Sequence, residues 1–281
     1  MCSSDLRRVL KRAVAANPHE MEMVERLMAP DGRTIDLADI PPFQRITVDM
    51  VDTAPDFIPV YLQAVPLTMT SAQNMFALYS AVRYLAQARI AGDIVECGVW
   101  RGGSCVVAAL ALQACGDTQR DFWLYDTFSG MPEPTGFDRP IGVGRTVVKH
   151  DPKKIWDSQR IDDTQSRWCH AALDDVQHNM RATGYPPERV HYVRGKVEET
   201  LLGQRPRSIA CLRLDTDWYE STRDELEHLF PLLVPGGVLI LDDYGFWAGQ
   251  KKAVDEYFAA HGITLLLQRI DANARLAIKT A

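Results

Sequence analysis

Two apolar runs that each end in clustered carboxylates constrain this chain more than any other feature. Ile209–Leu214 runs into Asp215-Thr216-Asp217, and Gly237–Leu241 runs into Asp242-Asp243-Tyr244. Short apolar runs of this kind read as strands of a buried parallel sheet. Neighbouring strands bring their carboxylates together at the C-terminal ends, where open α/β sheets bind ligands. Crowded carboxylates repel one another, so a cation is the expected reason for them. An oxygen-only donor set suits a hard divalent ion such as Mg²⁺. Asp215, Asp242 and Asp243 are therefore the expected metal ligands, and Asp217 the expected general base. If the strand continues, Asp215 and Asp217 point to one face. The competing readings are an N-cap for Asp217, before a helix starting near Ser221, and a solvated turn for Asp242-Asp243.

With 281 residues the chain can bury a large core as one domain with a lid, or as two small domains. Its 31 Lys and Arg against 37 Asp and Glu give a net charge of −6, which argues against a nucleic-acid partner. No apolar stretch reaches membrane-spanning length, and the N-terminus lacks a signal-peptide run. The six cysteines form no CxxC pair and read as free core thiols in a reducing cytoplasm. The histidines show no metal-binding spacing. Asp5–Ala16 reads as a basic amphipathic helix that serves as a packing or oligomer arm, in keeping with a homodimer or larger homo-oligomer.

The order of elements is legible. Residues 1–70 form an N-terminal arm or lid, with helical periodicity near 5–16 and 18–29 and prolines at Pro55, Pro59 and Pro66 that break regular structure. From residue 71 the main domain begins with a helix over Ser71–Ala88, capped by Ser71. Strand Asp93–Gly98 and helix Gly103–Cys115 follow, then strand Phe122–Phe128. Residues 129–166 are polar and rich in Pro and Gly, too long for a plain connection, and read as an inserted lid. A helix spans about Arg167–Thr183. Strands at His191–Arg194, Ile209–Leu214 and Gly237–Leu241 alternate with helices at Ser221–Leu233 and Gln250–His261. A hairpin, Thr264–Ile270 with Arg275–Lys279, closes the chain. Alternating β and α elements imply a parallel sheet with right-handed crossovers and an antiparallel edge.

The segment Val95-Glu96-Cys97-Gly98-Val99-Trp100-Arg101-Gly102-Gly103-Ser104 joins a strand to a helix. Its glycines admit close approach of a ligand, and the helix N-terminus offers free N–H groups. The spacing is neither GxGxxG nor a P-loop. Glu96 at the strand end suits a cationic amine, as in the amino-acid end of S-adenosylmethionine. Asp126, about 20 residues beyond the glycines, suits ribose hydroxyls, which both NAD and adenosylmethionine carry.

The strings VECGVWRGGS, YDTFSGMPEPT, GYPPERVHYVRGKVEETL and LRLDTDWYESTRDELEHLFPLLVPGGVLILDDYG resemble the macrocin O-methyltransferase family over about residues 65–265. The acidic pattern and Thr68-Met69-Thr70-Ser71 are also similar to the catechol and caffeoyl-coenzyme A O-methyltransferases. The resemblance implies a Rossmann-like class I methyltransferase fold, with a mostly parallel seven-stranded sheet, an antiparallel C-terminal strand and a helical N-terminal lid. It implies S-adenosylmethionine and Mg²⁺, with Asp215, Asp242 and Asp243 on the metal and Asp217 as base. It places Glu96, Gly98 and Ser104 on the methionine part and Asp126 on the ribose. Thr70 and Asp215 also face the donor, and Val197 lies along adenine. The implied acceptor is a sugar hydroxyl of a glycosylated natural product. A catechol-like hydroxyl, an NAD-linked oxidoreductase and a non-catalytic binding protein are the rival readings.

Overall fold

The computed structural model describes residues 26–28, 34–37, 40–141, 151–163 and 165–280. The expected helix over 5–16 lies outside them. Two strands, β1 (Arg26–Met28) and β2 (Thr34–Asp36), pair antiparallel, so the helical periodicity near 18–29 does not persist into residues 26–28. Two short helices follow, α1 (Val48–Thr53) and α2 (Phe57–Ala64). Pro59 sits in the first turn of α2, where its missing N–H removes no helical bond, so the expected break does not occur there.

Helix α3 (Ala72–Gln87) starts as expected, with the Ser71 hydroxyl accepting the Asn74 N–H at 3.1 Å. Beyond it come β3 (Asp93–Cys97), α4 (Gly103–Ala114), β4 (Phe122–Asp126) and, in the insertion, α5 (Pro152–Gln159). Helix α6 (Leu173–Ala182) starts later than periodicity predicts, because Cys169 adopts a left-handed φ of 48° that no helix accepts. Then follow β5 (Val190–Arg194), α7 (Val197–Thr200), β6 (Ile209–Leu214), α8 (Tyr219–Leu229), β7 (Leu233–Leu241) and α9 (Ala248–Ala260). The closing hairpin is β8 (Gln268–Arg269) and β9 (Arg275–Ile278), shorter than expected in its first arm.

The sheet has seven strands in the order β5-β4-β3-β6-β7-β9-β8, parallel from β5 to β7, with β9 antiparallel to β7. The chain builds outward from β3 to β5, returns to β6 beside β3, and builds the other way. That reversal creates the crevice where such sheets bind ligands. Strand alternation divides two apolar layers. Ile94, Cys211 and Ile240 face α2, α3 and α4 together with Phe57, Tyr79 and Val106. Val95, Leu212 and Leu239 face Leu226, Leu229 and Val254 of α8 and α9.

Gly98 is the point at which the crevice is tightest. Its φ is +82°, and a Cβ there would lie 2.0 Å from the Asp215 carbonyl oxygen. The Gly98 N–H meets the Tyr125 carbonyl at 2.8 Å, and the Asp215 N–H meets the Cys97 carbonyl at 2.8 Å, so neither backbone can retreat cheaply. Gly98→Ala should cost about 3 kcal/mol through left-handed strain and overpacking. Thermal unfolding should show a Tm lowered by roughly 10 °C. A Tm within about 2 °C of the parent would contradict this packing.

Candidate active site

Register sets the site. Leu214 pairs with Leu241, and the Asp242 N–H donates to the Leu214 carbonyl at 3.0 Å. Asp215 and Asp242 thus leave adjacent strand ends side by side. Asp215, Asp242 and Asp243 each offer a carboxylate oxygen, and the three atoms lie within 4.8 Å of one another. Burial raises the Asp215 and Asp243 carboxyls well above the usual range. Neighbouring carboxylates raise both further, and the Arg213 guanidinium opposes the shift at Asp215.

The strand does not continue beyond Leu214. Asp217 adopts a left-handed φ of 68°, and Trp218, not Asp217, is the N-cap residue of α8. The chain therefore turns Asp217 toward Asp243 by backbone conformation and not by strand alternation. The two carboxyls hydrogen-bond, and burial pushes Asp217 up to about 7. A group titrating there is well matched to general-base work near neutral pH. Thr216, between the two acids, donates to Glu225 of α8 at 2.8 Å, which ties the acidic loop to a buried helix face.

Beneath the carboxylates lies Arg213, 2 % exposed and the penultimate residue of β6. It stands in register with Glu96 on β3. Its Nη1 donates to Glu96 and to Asp215 Oδ2 at 2.6 Å; its Nη2 donates to Asp242 Oδ1 at 2.5 Å and to Thr70 Oγ1 at 3.0 Å. Asn74 of α3 also donates to Asp242 Oδ1, at 2.5 Å. Sequence reasoning passed over Arg213 and Asn74. The available signal was an arginine inside an apolar strand, since a buried arginine needs paired carboxylates.

These acids sit at the base of a cavity of about 780 Å³ whose lining includes Thr70, Gly98, Ser104, Asp126, Val197 and Asp217. Glu96 is not among the lining residues. It is 4 % exposed, and its Oε2 accepts the Cys105 thiol at 2.7 Å while Oε1 meets Arg213. Burial raises its pKa against the pull of Arg213. The alternation of β3 points Glu96 into the layer beneath the cavity, so it meets the guanidinium where a ligand amine was expected. Asp126 does line the cavity. Its Oδ2 accepts the Val99 and Trp100 N–H groups at 2.7 and 3.0 Å, and its Oδ1 accepts that of Phe128 at 2.7 Å. It therefore folds the glycine-rich loop against β4; Oδ2 is taken up by two N–H groups, while Oδ1, reached otherwise only by the Thr127 hydroxyl at 3.4 Å, is the freer acceptor.

The opposite wall is aromatic. Trp168 packs edge-on against Trp218, with ring centroids 5.6 Å apart, and Trp218 packs edge-on against Trp247 at 5.0 Å. The first part of the insertion is docked on this wall. Buried Asp138 accepts the Tyr219 N–H at 2.8 Å, Trp218 Nε1 donates to the Pro132 carbonyl at 3.1 Å, and Ile141 N–H meets Phe246 at 2.7 Å. Among the described residues no helix is long and apolar enough to cross a membrane, and five cysteines are free thiols.

Glu225 supplies a pH test of the loop anchor. It is fully buried, its Oε2 has no partner, and burial pushes it up to about 8. The folded state then holds a proton that the unfolded chain releases near 4.5, so stability falls as pH rises between those values. Glu225→Gln should remove that part of the slope, worth at most about 1.4 kcal/mol per pH unit. Denaturant titrations across the window check it, and parallel curves for parent and variant would contradict it.

Comparison with known proteins fits this geometry. The family model described as Macrocin-O-methyltransferase (TylF) matches residues 59–277. A Streptomyces olivaceus protein, 8-demethyl-8-(2,3-dimethoxy-alpha-L-rhamnosyl)-tetracenomycin-C 4'-O-methyltransferase, is 35 % identical over 206 residues, 73 % of each chain. Mycinamicin III 3''-O-methyltransferase of Micromonospora griseorubida is 32 % identical over 204 residues, 73 % of this chain and 75 % of the relative. The solved structure of the O-methyltransferase NovP superposes with a TM-score of 0.65 at 29 % identity, covering 76 % of this chain and 83 % of that one. The oxidoreductase reading is thereby displaced: the chain belongs to the macrocin O-methyltransferase family and is an O-methyltransferase.

Proposed function

We propose that this enzyme moves a methyl group from S-adenosylmethionine to a sugar hydroxyl of a glycosylated natural product, with Mg²⁺ at the three-carboxylate site. The observation that carries the reading is the convergence of Asp215, Asp242 and Asp243 at the base of a large cavity. The rhamnosyl acceptor in the name of the Streptomyces olivaceus relative supports the choice of acceptor class. An all-carboxylate set with oxygens this close matches a hard divalent cation and no softer one. When bound there, such an ion makes a coordinated hydroxyl more acidic.

The chain's own residues do the rest. Thr70, Gly98, Ser104, Asp126, Val197 and Asp215 line the donor's part of the cavity. Asp126 accepts from the ribose, and the glycine permits close contact. Glu96 acts from behind, through Arg213 and Cys105. Trp168 and Trp247 form an apolar wall for the acceptor and exclude water from the acids. Asp217 takes the hydroxyl proton as the oxygen–carbon bond forms and the carbon–sulfur bond breaks. The sulfonium is already activated, so orientation and proton removal are what the protein must add.

Labelled donor and a panel of deoxysugar glycosides test this. Chelation should abolish transfer and Mg²⁺ should restore it. Asp217→Asn should lower turnover by about 10²–10⁴-fold while donor affinity stays within about twofold. Transfer that ignores chelator would reject the metal role, and full turnover by the variant would reject Asp217 as base.

A further inference from the structure

Arg213 is enclosed by charge on three sides. It reaches Glu96, Asp215 and Asp242, and it also holds the Thr70 hydroxyl. Its Nε is buried with no acceptor, so this residue is not placed to maximise hydrogen bonds. A buried arginine with an unsatisfied N–H is costly and needs a reason.

Two consequences of removing Arg213 would oppose each other. Losing its bonds would free the ligands to move, weakening the grip on an ion. Losing its charge would leave the carboxylates uncompensated, strengthening that grip. The anchoring of the ligands decides which prevails. Asp215 is fixed by its own N–H on the Cys97 carbonyl, at 2.8 Å, and Asp242 by its N–H on Leu214, at 3.0 Å. Asp242 keeps a second side-chain donor in Asn74 at 2.5 Å. Asp243 makes no contact with Arg213; its N–H is held by Gln250 Oε1 at 2.8 Å. The backbone at the three ligands is therefore anchored without the guanidinium, and what Arg213 adds is charge compensation among the carboxylates themselves.

We propose that Arg213 is a resident cation. It holds the carboxylate cage together when no divalent ion is bound, and it lowers the affinity for that ion so that the ion stays exchangeable. The inference rests on the metal reading above. It assigns Arg213 a positioning and charge-setting role, with no contact to the reacting atoms. Through Thr70 the same guanidinium touches the lining of the donor's part of the cavity.

The test is Mn²⁺ binding, followed by electron paramagnetic resonance on the full chain without donor, beside thermal unfolding with and without Mn²⁺. Arg213→Met should bind Mn²⁺ at least about tenfold more tightly than the parent, because a neighbouring positive charge is gone. It should unfold at lower temperature without the ion and recover more on its addition, by roughly 4 °C or more. Arg213→Lys keeps the charge and should bind within about threefold of the parent. Equal or weaker binding by Arg213→Met overturns the proposal. So does Arg213→Lys behaving like Arg213→Met, which would make fork geometry the cause, and so does an Arg213→Met chain that Mn²⁺ cannot fold. No binding by the parent would remove the metal reading itself, a result distinct from parent binding that the substitution fails to strengthen.

Discussion

The site depends on like charge held together at the ends of β6 and β7. Three carboxylates with oxygens inside 4.8 Å repel strongly at low dielectric, and the fold supplies only part of the compensation. Arg213, Asn74 and backbone anchoring hold the cluster, while burial raises the pKa values of Asp215 and Asp243. On the proposed reading, a divalent ion would take the place of the protons that burial drives onto these acids and would offset their crowding.

The surrounding architecture serves that cluster. The order reversal between β3 and β6 opens the crevice. Gly98 lets the first loop pass within contact of Asp215, and Asp126 folds that loop onto β4. On the far side Asp138 and the Pro132 carbonyl dock the insertion on the start of α8, directly after Asp217. The aromatic wall and the proposed base thus share one anchor.

How much of this was legible in the sequence follows from what each signal depends on. Strands ending in acids reveal Asp215, Asp242 and Asp243, because register in a parallel sheet aligns strand ends. Apolar periodicity places α3, α4, α8 and α9 but starts α6 too early, and Ser71 caps where a serine should. Glu96 misled because alternation, not distance along the chain, decides whether it faces the cavity or the layer below. Asp217 reached the site by a left-handed backbone that residue type does not announce. Arg213 was hidden by the apolar run that contains it, and two of its three charged partners are 117 and 29 residues away. The tryptophan wall joins Trp168, just after the insertion, to the N-cap residues of α8 and α9, Trp218 and Trp247, a contact only tertiary structure shows.

The central claim is that these carboxylates share one divalent ion facing the donor. Diffraction from crystals grown with Mn²⁺ and S-adenosylhomocysteine, at a wavelength where manganese scatters anomalously, tests it most directly. The account predicts a single anomalous peak about 2.0–2.3 Å from oxygens of Asp215, Asp242 and Asp243, with Arg213 still beneath them. An absent peak, or a peak elsewhere while the three carboxylates remain bound only to protein groups, would contradict it.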